Sequence, residues 1–194
     1  MEPGGFYHIC TRANGSDNLF RTDDNYRFFL QRYASFIPSI ADTYCYCLMP
    51  NHLHLLVRIK DMETVAATFG KFETFQKFEY RVSKQFSNLF SSYTQAFNKV
   101  FKRKGSLFIP NFKRKAIEDE EHFTKIIHYI HANPVHHGFA KSIGDWKWSS
   151  YQSLLSGKPT MVMRQEVLTW FGGREEFIDF HRQPVDLKLA NDME

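Results

Sequence analysis

The stretch YCYCLMPNHLHLLV, residues 44–57, constrains the fold of this chain more than any other segment. Aromatic and apolar residues fill both of its arms, and Pro50-Asn51 interrupts them, a pattern that predicts two β-strands joined by a turn. Alternate side chains of a strand share a face, so His52 and His54 are expected to project together while the intervening leucines face a core. Two neighbouring imidazoles supply half of a divalent-metal site, although a His-x-His pair alone is equally compatible with structural histidines.

Composition is that of a single globular domain. The chain has 194 residues, of which 43% are hydrophobic and 24% charged, enough for one complete core. No apolar run reaches the length of a membrane span, and the start MEPGGFYHIC lacks the pattern of a secretory signal, so a cytoplasmic protein without membrane contact is expected. The three cysteines show no disulfide or metal framework.

Positive charge is concentrated between residues 102 and 115, a segment with six Lys or Arg and no acidic residue. Such a segment favours a polyanionic partner, and the interleaved Phe108 and Phe112 add possible stacking faces for the bases of single-stranded DNA. A solvated basic hairpin is the alternative. The candidate DNA-binding residues are Lys102, Arg103, Lys104, Lys113, Arg114 and Lys115.

Periodicity outlines the remaining elements. Residues 6–12 predict a strand, and Asp23-Asp24-Asn25 begins a helix that Pro38 ends. Apolar residues at helical spacing from 69 to 100 predict a shorter helix followed by a second one, with Gly70 and either Ser87-Asn88 or Ser91-Ser92 as candidate breaks. A strand over 107–117, a helix over 118–132 that ends at Asn133-Pro134, and an unstructured tail after Pro184 complete the prediction.

The predicted helix over 118–132 contains Tyr129, and positions four residues apart on a helix share a face, so Tyr129 and Asn133 are expected to point together. If that face meets His52 and His54, a metal, an oxygen ligand and a phenol converge. A phenol with a pKa near 10 needs activation before it attacks as a nucleophile. An ordinary helix tyrosine is the alternative.

Four segments together resemble a known family. They are YHICTR (7–12), MPNHLHLLV (49–57), YIHANPV (129–135) and DWKWSSY (145–151). In this order and spacing they resemble the REP-associated tyrosine transposases of the single-tyrosine HUH superfamily, where HUH denotes histidine, hydrophobic residue, histidine. The resemblance covers roughly residues 6–151.

The resemblance implies an α+β, ferredoxin-like domain over residues 1–155, with a central antiparallel sheet and the HUH pair on a central strand. Residues 156–194 are then a C-terminal helical extension and tail. By the same resemblance, Tyr129 is the nucleophile, and His52, His54 and Asn133 hold Mg²⁺ or Mn²⁺. His128 and His131 are alternatives to Asn133 as third ligand. Relatives include monomers and homodimers.

The implied activity is a transposase that nicks and rejoins single-stranded DNA near hairpins through a 5′-phosphotyrosine. A domesticated protein that binds hairpin DNA without cutting it is the main alternative. A nucleotide hydrolase of the histidine-triad type is disfavoured, because its third alternating histidine would fall at Leu56.

Overall fold

A computed structural model describes residues 1–117, 119 and 121–185. Four strands form one antiparallel sheet in the order β2-β3-β1-β4. The strands are β1 (Phe6–Arg12), β2 (Ala41–Leu48), β3 (His52–Ile59) and β4 (Lys113–Ile117). The sheet with its packed helices confirms the α+β prediction, and β3, which carries both histidines, is an inner strand.

Helices cover both faces of the sheet. On one face α1 (Asp23–Phe36) packs with α3 (Phe75–Val100), and their aromatic residues share a core with Leu53, Leu55 and Val57. On the other face α4 (Glu121–His136) packs on β2 and β3, with three shorter helices around it. The shorter ones are α5 (Tyr151–Leu155), α6 (Arg164–Phe171) and α7 (Arg174–His181), while α2 (Met62–Phe69) precedes α3.

Three local predictions before residue 75 are confirmed. The structure confirms β1 at the predicted residues, the break at Pro50-Asn51 between β2 and β3, and the break between α2 and α3 at Gly70. Gly70 has a φ of 85°, a conformation that glycine adopts without steric cost. The loop that follows β1 stabilises the turn at Pro50-Asn51. The amide of Phe20 donates to the carbonyl of Pro50, and the amide of Ala13 donates to that of Asn51.

Two predicted boundaries are wrong. No break occurs between Ser87 and Ser92, since α3 is one continuous helix of 26 residues, and the hydroxyl of Ser87 donates to the carbonyl of Ser83 within it. β4 begins at Lys113 rather than at Leu107. Proline lacks an amide hydrogen and Asn111 has a φ of 57°, so neither Pro110 nor Asn111 continues a strand ladder.

The prediction that Asn133-Pro134 ends α4 is also wrong, because the helix continues to His136. Pro134 lies in the last turn, where its missing amide hydrogen removes a single ladder bond. The turn is closed beyond it by the amides of His137 and Phe139, which donate to the carbonyls of Asn133 and Pro134 at 2.9 and 2.7 Å. The acidic positions 118 and 120 and the predicted tail over 186–194 lie outside the described residues.

Within the part of the chain that the structure describes, no helix is long and apolar enough to cross a membrane.

Candidate active site

The strand register gathers polar side chains on the sheet face that α4 covers. Cys10 lies opposite His54 on one side and opposite Lys113 on the other. His8, two residues earlier on β1, lies opposite Lys115. Because directly opposed residues of antiparallel strands share a face, the histidines of β3 and the two lysines of β4 flank the same side of β1.

His54 lies at the centre of this face and is 2% exposed. Its Nδ1 atom is 2.9 Å from Nε2 of His8, and the two rings stack with an interplanar angle of 6°. Burial lowers the pKa of His54 well below its usual range and that of His8 to about 4, so both imidazoles are neutral. The other nitrogen of His54, Nε2, is buried and has no hydrogen-bond partner among the described residues.

His52 is half-buried at the start of β3. Its Nδ1 atom lies 2.7 Å from the side-chain oxygen of Asn51. An amide oxygen only accepts hydrogen bonds, so Nδ1 of His52 donates, and Nε2 is the nitrogen that can present a lone pair to a metal. The His52 ring is 5.2 Å from the ring of His54 and 4.8 Å from that of His137, which directly follows α4.

On the α4 side, Tyr129, Asn133 and His137 follow each other at intervals of four residues. The Tyr129 ring is 5.6 Å from that of His54, and the His137 ring lies against His52, so Asn133 falls between these two contacts. The Asn133 amide nitrogen donates to the carbonyl of Tyr129 at 3.0 Å. Its Oδ1 atom is buried with no hydrogen-bond partner in the described chain. The structure therefore brings together the phenol, the two imidazoles and the amide that the sequence pointed to.

These residues fit a divalent metal. His54 Nε2 and Asn133 Oδ1 are both buried polar atoms that lack a hydrogen-bond partner among the described residues, an arrangement that is costly unless something binds there. The described residues contain no group of three His, Cys, Asp or Glu side chains that could hold a metal. An amide oxygen such as that of Asn133 would complete a mixed set of imidazole and oxygen ligands, a set that suits Mn²⁺.

A cavity of about 200 Å³ opens beside the histidine pair. Positive side chains reach it from two strands, with Arg12 from β1 and Lys113 from β4, and His137, directly after α4, also lines it. Tyr129 does not line this cavity and is only 2% exposed. The cavity is lined by Cys10, Thr11, Arg12, Asn51, His52, His54, Ile109, Lys113 and His137.

His128 and His131, the alternatives for the third ligand, lie away from this cavity. The His131 nitrogens lie 2.9 Å from His181 Nε2 and 2.8 Å from the hydroxyl of Ser150. The His128 ring packs 5.1 Å from that of His181. Both histidines thus face α7, so neither replaces Asn133 in this structure.

The six basic candidates separate into different environments. Arg103 is 18% exposed and forms an ion pair with Asp17 at 2.6 Å, while it also donates to the carbonyl of Ser106. It therefore ties the loop after α3 to the loop after β1. Lys102 and Lys104 are exposed. On β4, alternation places Lys113 and Lys115 on the side of the histidines and Arg114 on the opposite side.

The prediction of a stacking face is wrong for Phe108, which is buried and packs 4.9 Å from Phe90. Phe112 is half-buried and packs 5.4 Å from Phe86. Phe108 belongs to the core under α3, and Phe112 packs against that core, because the loop before β4 folds back on the helix.

Sequence reasoning missed two residues of the site, His8 and His137. His8 alternates with Cys10 on a strand that was predicted correctly, but only the register with β3 reveals its contact with His54. His137 lies four residues after Asn133, and the expectation that the helix stops at Asn133-Pro134 hid that relation.

No family model matches the chain. A Haemophilus influenzae protein that carries the name of a REP-associated tyrosine transposase is 26% identical over 153 residues, which span 76% of this chain and 80% of that protein. In sequence the chain is therefore similar to a protein with that name. A solved REP-associated tyrosine transposase bound to a REP hairpin has the same fold, with a TM-score of 0.55 and 18% identity over 81% of this chain and 84% of its own.

The DWKWSSY segment, residues 145–151, connects the loop after α4 to β2. The Trp146 indole donates to the carbonyl of Leu48 at 2.9 Å. The Ser150 hydroxyl accepts from the amide of Tyr46, also at 2.9 Å. Tyr151 packs against Phe177. This segment therefore positions α4 and β2 relative to each other, and its tyrosine has a packing role.

Proposed function

We propose that this chain nicks single-stranded DNA beside a hairpin and rejoins it through a covalent bond to Tyr129. One observation carries the proposal, namely that the Tyr129 ring lies 5.6 Å from the ring of the buried His54, with Asn133 one helical turn further along α4. The relation to proteins named as transposases, one of them solved with a REP hairpin, supports an enzyme that acts on DNA.

The chemistry follows from a phenol whose ring lies against the imidazole of His54. The Tyr129 phenol loses its proton and its oxygen attacks the phosphorus in line, while the bond to the 3′-oxygen of the preceding nucleotide breaks. The products are a 5′-phosphotyrosine and a free 3′-hydroxyl. The phosphoester bond is retained, so a second 3′-hydroxyl reverses the step and joins strands without a nucleotide cofactor.

His52, His54 and Asn133 would hold the Mg²⁺ or Mn²⁺. When bound, the metal supplies polarisation of the scissile phosphate and stabilises negative charge on the departing oxygen. The chain itself contributes the fixed orientation of both imidazoles, one through Asn51 and the other through His8. Arg12 and Lys113 line the same cavity and offset the charge of an entering phosphate.

A second function, hairpin binding without cleavage, is favoured by the burial of the nucleophile. At 2% exposure the Tyr129 phenol does not meet a strand that only occupies the cavity. Cleavage therefore requires that α4 or the DNA moves so that the phosphate reaches the phenol, whereas binding alone does not.

A covalent-adduct assay separates the two functions. The wild-type chain, incubated with labelled single-stranded hairpin DNA and Mn²⁺, is expected to yield an adduct that survives denaturation. Tyr129→Phe should lose the adduct and keep its hairpin affinity within a few-fold, and Tyr151→Phe is the matched control with adduct retained. Mass spectrometry should place the nucleotide on the Tyr129 peptide. Hairpin binding with no adduct in the wild type would establish the second function, and an adduct in Tyr129→Phe would exclude this nucleophile.

A further inference from the structure

His8 is a buried polar residue for which the proposed chemistry has no direct use. It lies on β1, is 2% exposed, and its ring stacks on that of His54 at a centroid distance of 5.1 Å. Its Nε2 atom is 2.9 Å from His54 Nδ1. A buried imidazole in the middle of a sheet face costs free energy that an apolar side chain would not, which points to a role in the site.

The direction of this hydrogen bond decides what His54 can do. In a neutral imidazole one nitrogen carries the hydrogen and the other carries the lone pair. If His54 Nδ1 donates to His8, the buried Nε2 of His54 presents its lone pair to the site. If His8 donates instead, His54 Nε2 carries a hydrogen and cannot bind a metal.

Only in the first arrangement can a bound cation satisfy the buried Nε2 atom of His54. With the hydrogen on Nδ1, the Nε2 atom of His54 carries a lone pair that can bind a cation. The Oδ1 atom of Asn133 is likewise a buried acceptor without a partner among the described residues. With the hydrogen on Nε2, a buried N–H group would point at no acceptor among the described residues, at a cost of about 1–3 kcal/mol.

We propose that His8 is a positioning residue that holds His54 in its metal-binding tautomer by accepting a hydrogen bond from Nδ1. The proposal rests on the proposed function, since it assumes that His54 is a ligand. Histidine ligands generally donate their second nitrogen to such an outer partner, and loss of the partner weakens metal affinity about 10–100-fold. Here the partner is itself an imidazole, whose Nε2 atom lies 2.9 Å from His54 Nδ1.

Two substitutions separate positioning from packing. His8→Phe keeps an aromatic ring over His54 and removes the acceptor, so Mn²⁺ affinity measured by calorimetry should fall about 10–100-fold. His8→Gln places an amide oxygen within reach of Nδ1 and should restore the affinity to within a few-fold of wild type. Equal Mn²⁺ affinity in His8→Phe and wild type would overturn the proposal, as would failure of His8→Gln to exceed His8→Phe.

A measurement on the wild-type chain needs no substitution. Long-range ¹H–¹⁵N NMR of the imidazoles without metal should show the His54 hydrogen on Nδ1, and a hydrogen on Nε2 would overturn the proposal even if every variant unfolds. The proposed function fails separately. If wild type binds no Mn²⁺, or if His54→Ala binds Mn²⁺ as tightly as wild type, the proposed metal site is wrong. If His54→Ala loses Mn²⁺ affinity as expected but His8→Phe does not, only the role of His8 is refuted.

Discussion

The imidazoles of His131 and His181 meet through nitrogens 2.9 Å apart, and this buried contact joins α4 to α7. Its direction is fixed at one end, because His181 Nδ1 lies 2.7 Å from the carbonyl of Phe177, which only accepts. His181 Nε2 must then accept from His131 Nδ1, and His131 Nε2 must accept from the hydroxyl of Ser150 at 2.8 Å. The chain of hydrogen bonds is complete only while both histidines are neutral.

Acid should therefore destabilise the fold. Burial lowers the pKa of His181 to about 3 and that of His131 well below 6.5, so the unfolded state binds more protons below about pH 6.5. These groups stabilise the fold above that pH, and their contribution declines as the pH falls from about 6.5 toward the folded-state values. Each contributes up to about 1.4 kcal/mol per pH unit in that window.

Denaturant titrations between pH 7.5 and 4.5 measure this loss, and the His181→Gln variant is the test of its source. The variant should be less stable than wild type at pH 7.5 and should lose less stability on acidification. If the free energy of unfolding of the two proteins depends on pH in the same way, the His131–His181 pair does not take up protons on unfolding.

Arg103 should behave differently from its two basic neighbours. Arg103→Ala removes the ion pair with Asp17 and the bond to the Ser106 carbonyl, and is expected to destabilise the fold by about 1–3 kcal/mol. Lys102→Ala and Lys104→Ala change exposed side chains and should leave the thermal midpoint nearly unchanged. Equal midpoints for all three variants would show that the Arg103 contacts contribute little to stability.

The two histidines of β3 should respond unequally to truncation although both are proposed ligands. His52→Ala and His54→Ala are each expected to reduce Mn²⁺ affinity by at least tenfold in calorimetry. Only His54→Ala should also lower the thermal midpoint, because His54 is buried and its loss leaves His8 Nε2 without its partner. His52 is half-buried at the rim of the cavity, so a severe loss of stability in His52→Ala would give it a structural role instead.

The sequence allowed prediction where local patterning decides the outcome. Period-two alternation placed His52 and His54 on one face of β3, and four-residue spacing placed Tyr129 with Asn133, because both patterns are properties of a single element. The contact of His8 with His54 could not be predicted in this way, since it depends on the register between two strands. The burial of Phe108 and the ion pair of Arg103 depend on how a loop folds back on α3. From its basic composition alone, that loop is predicted to be a nucleic-acid surface, and only the fold shows that Phe108 and Arg103 make internal contacts.

β4 offers a matched test of which side of the sheet meets DNA. Lys113 and Lys115 flank the side of the histidines, and Arg114, between them on the same exposed strand, points to the opposite side. Each phosphate contact contributes roughly 0.7–0.9 to the slope of log affinity against log salt concentration. The Lys113→Ala, Lys115→Ala double variant should therefore weaken hairpin binding and reduce the magnitude of the slope by about 1.4–1.8. Arg114→Ala, which also removes a positive charge from β4 but from its other face, should leave the slope unchanged. If Arg114→Ala reduces the slope and the double variant does not, the bound DNA lies on the α3 side of the sheet, away from Tyr129. The proposed cleavage by Tyr129 would then lose its geometric basis.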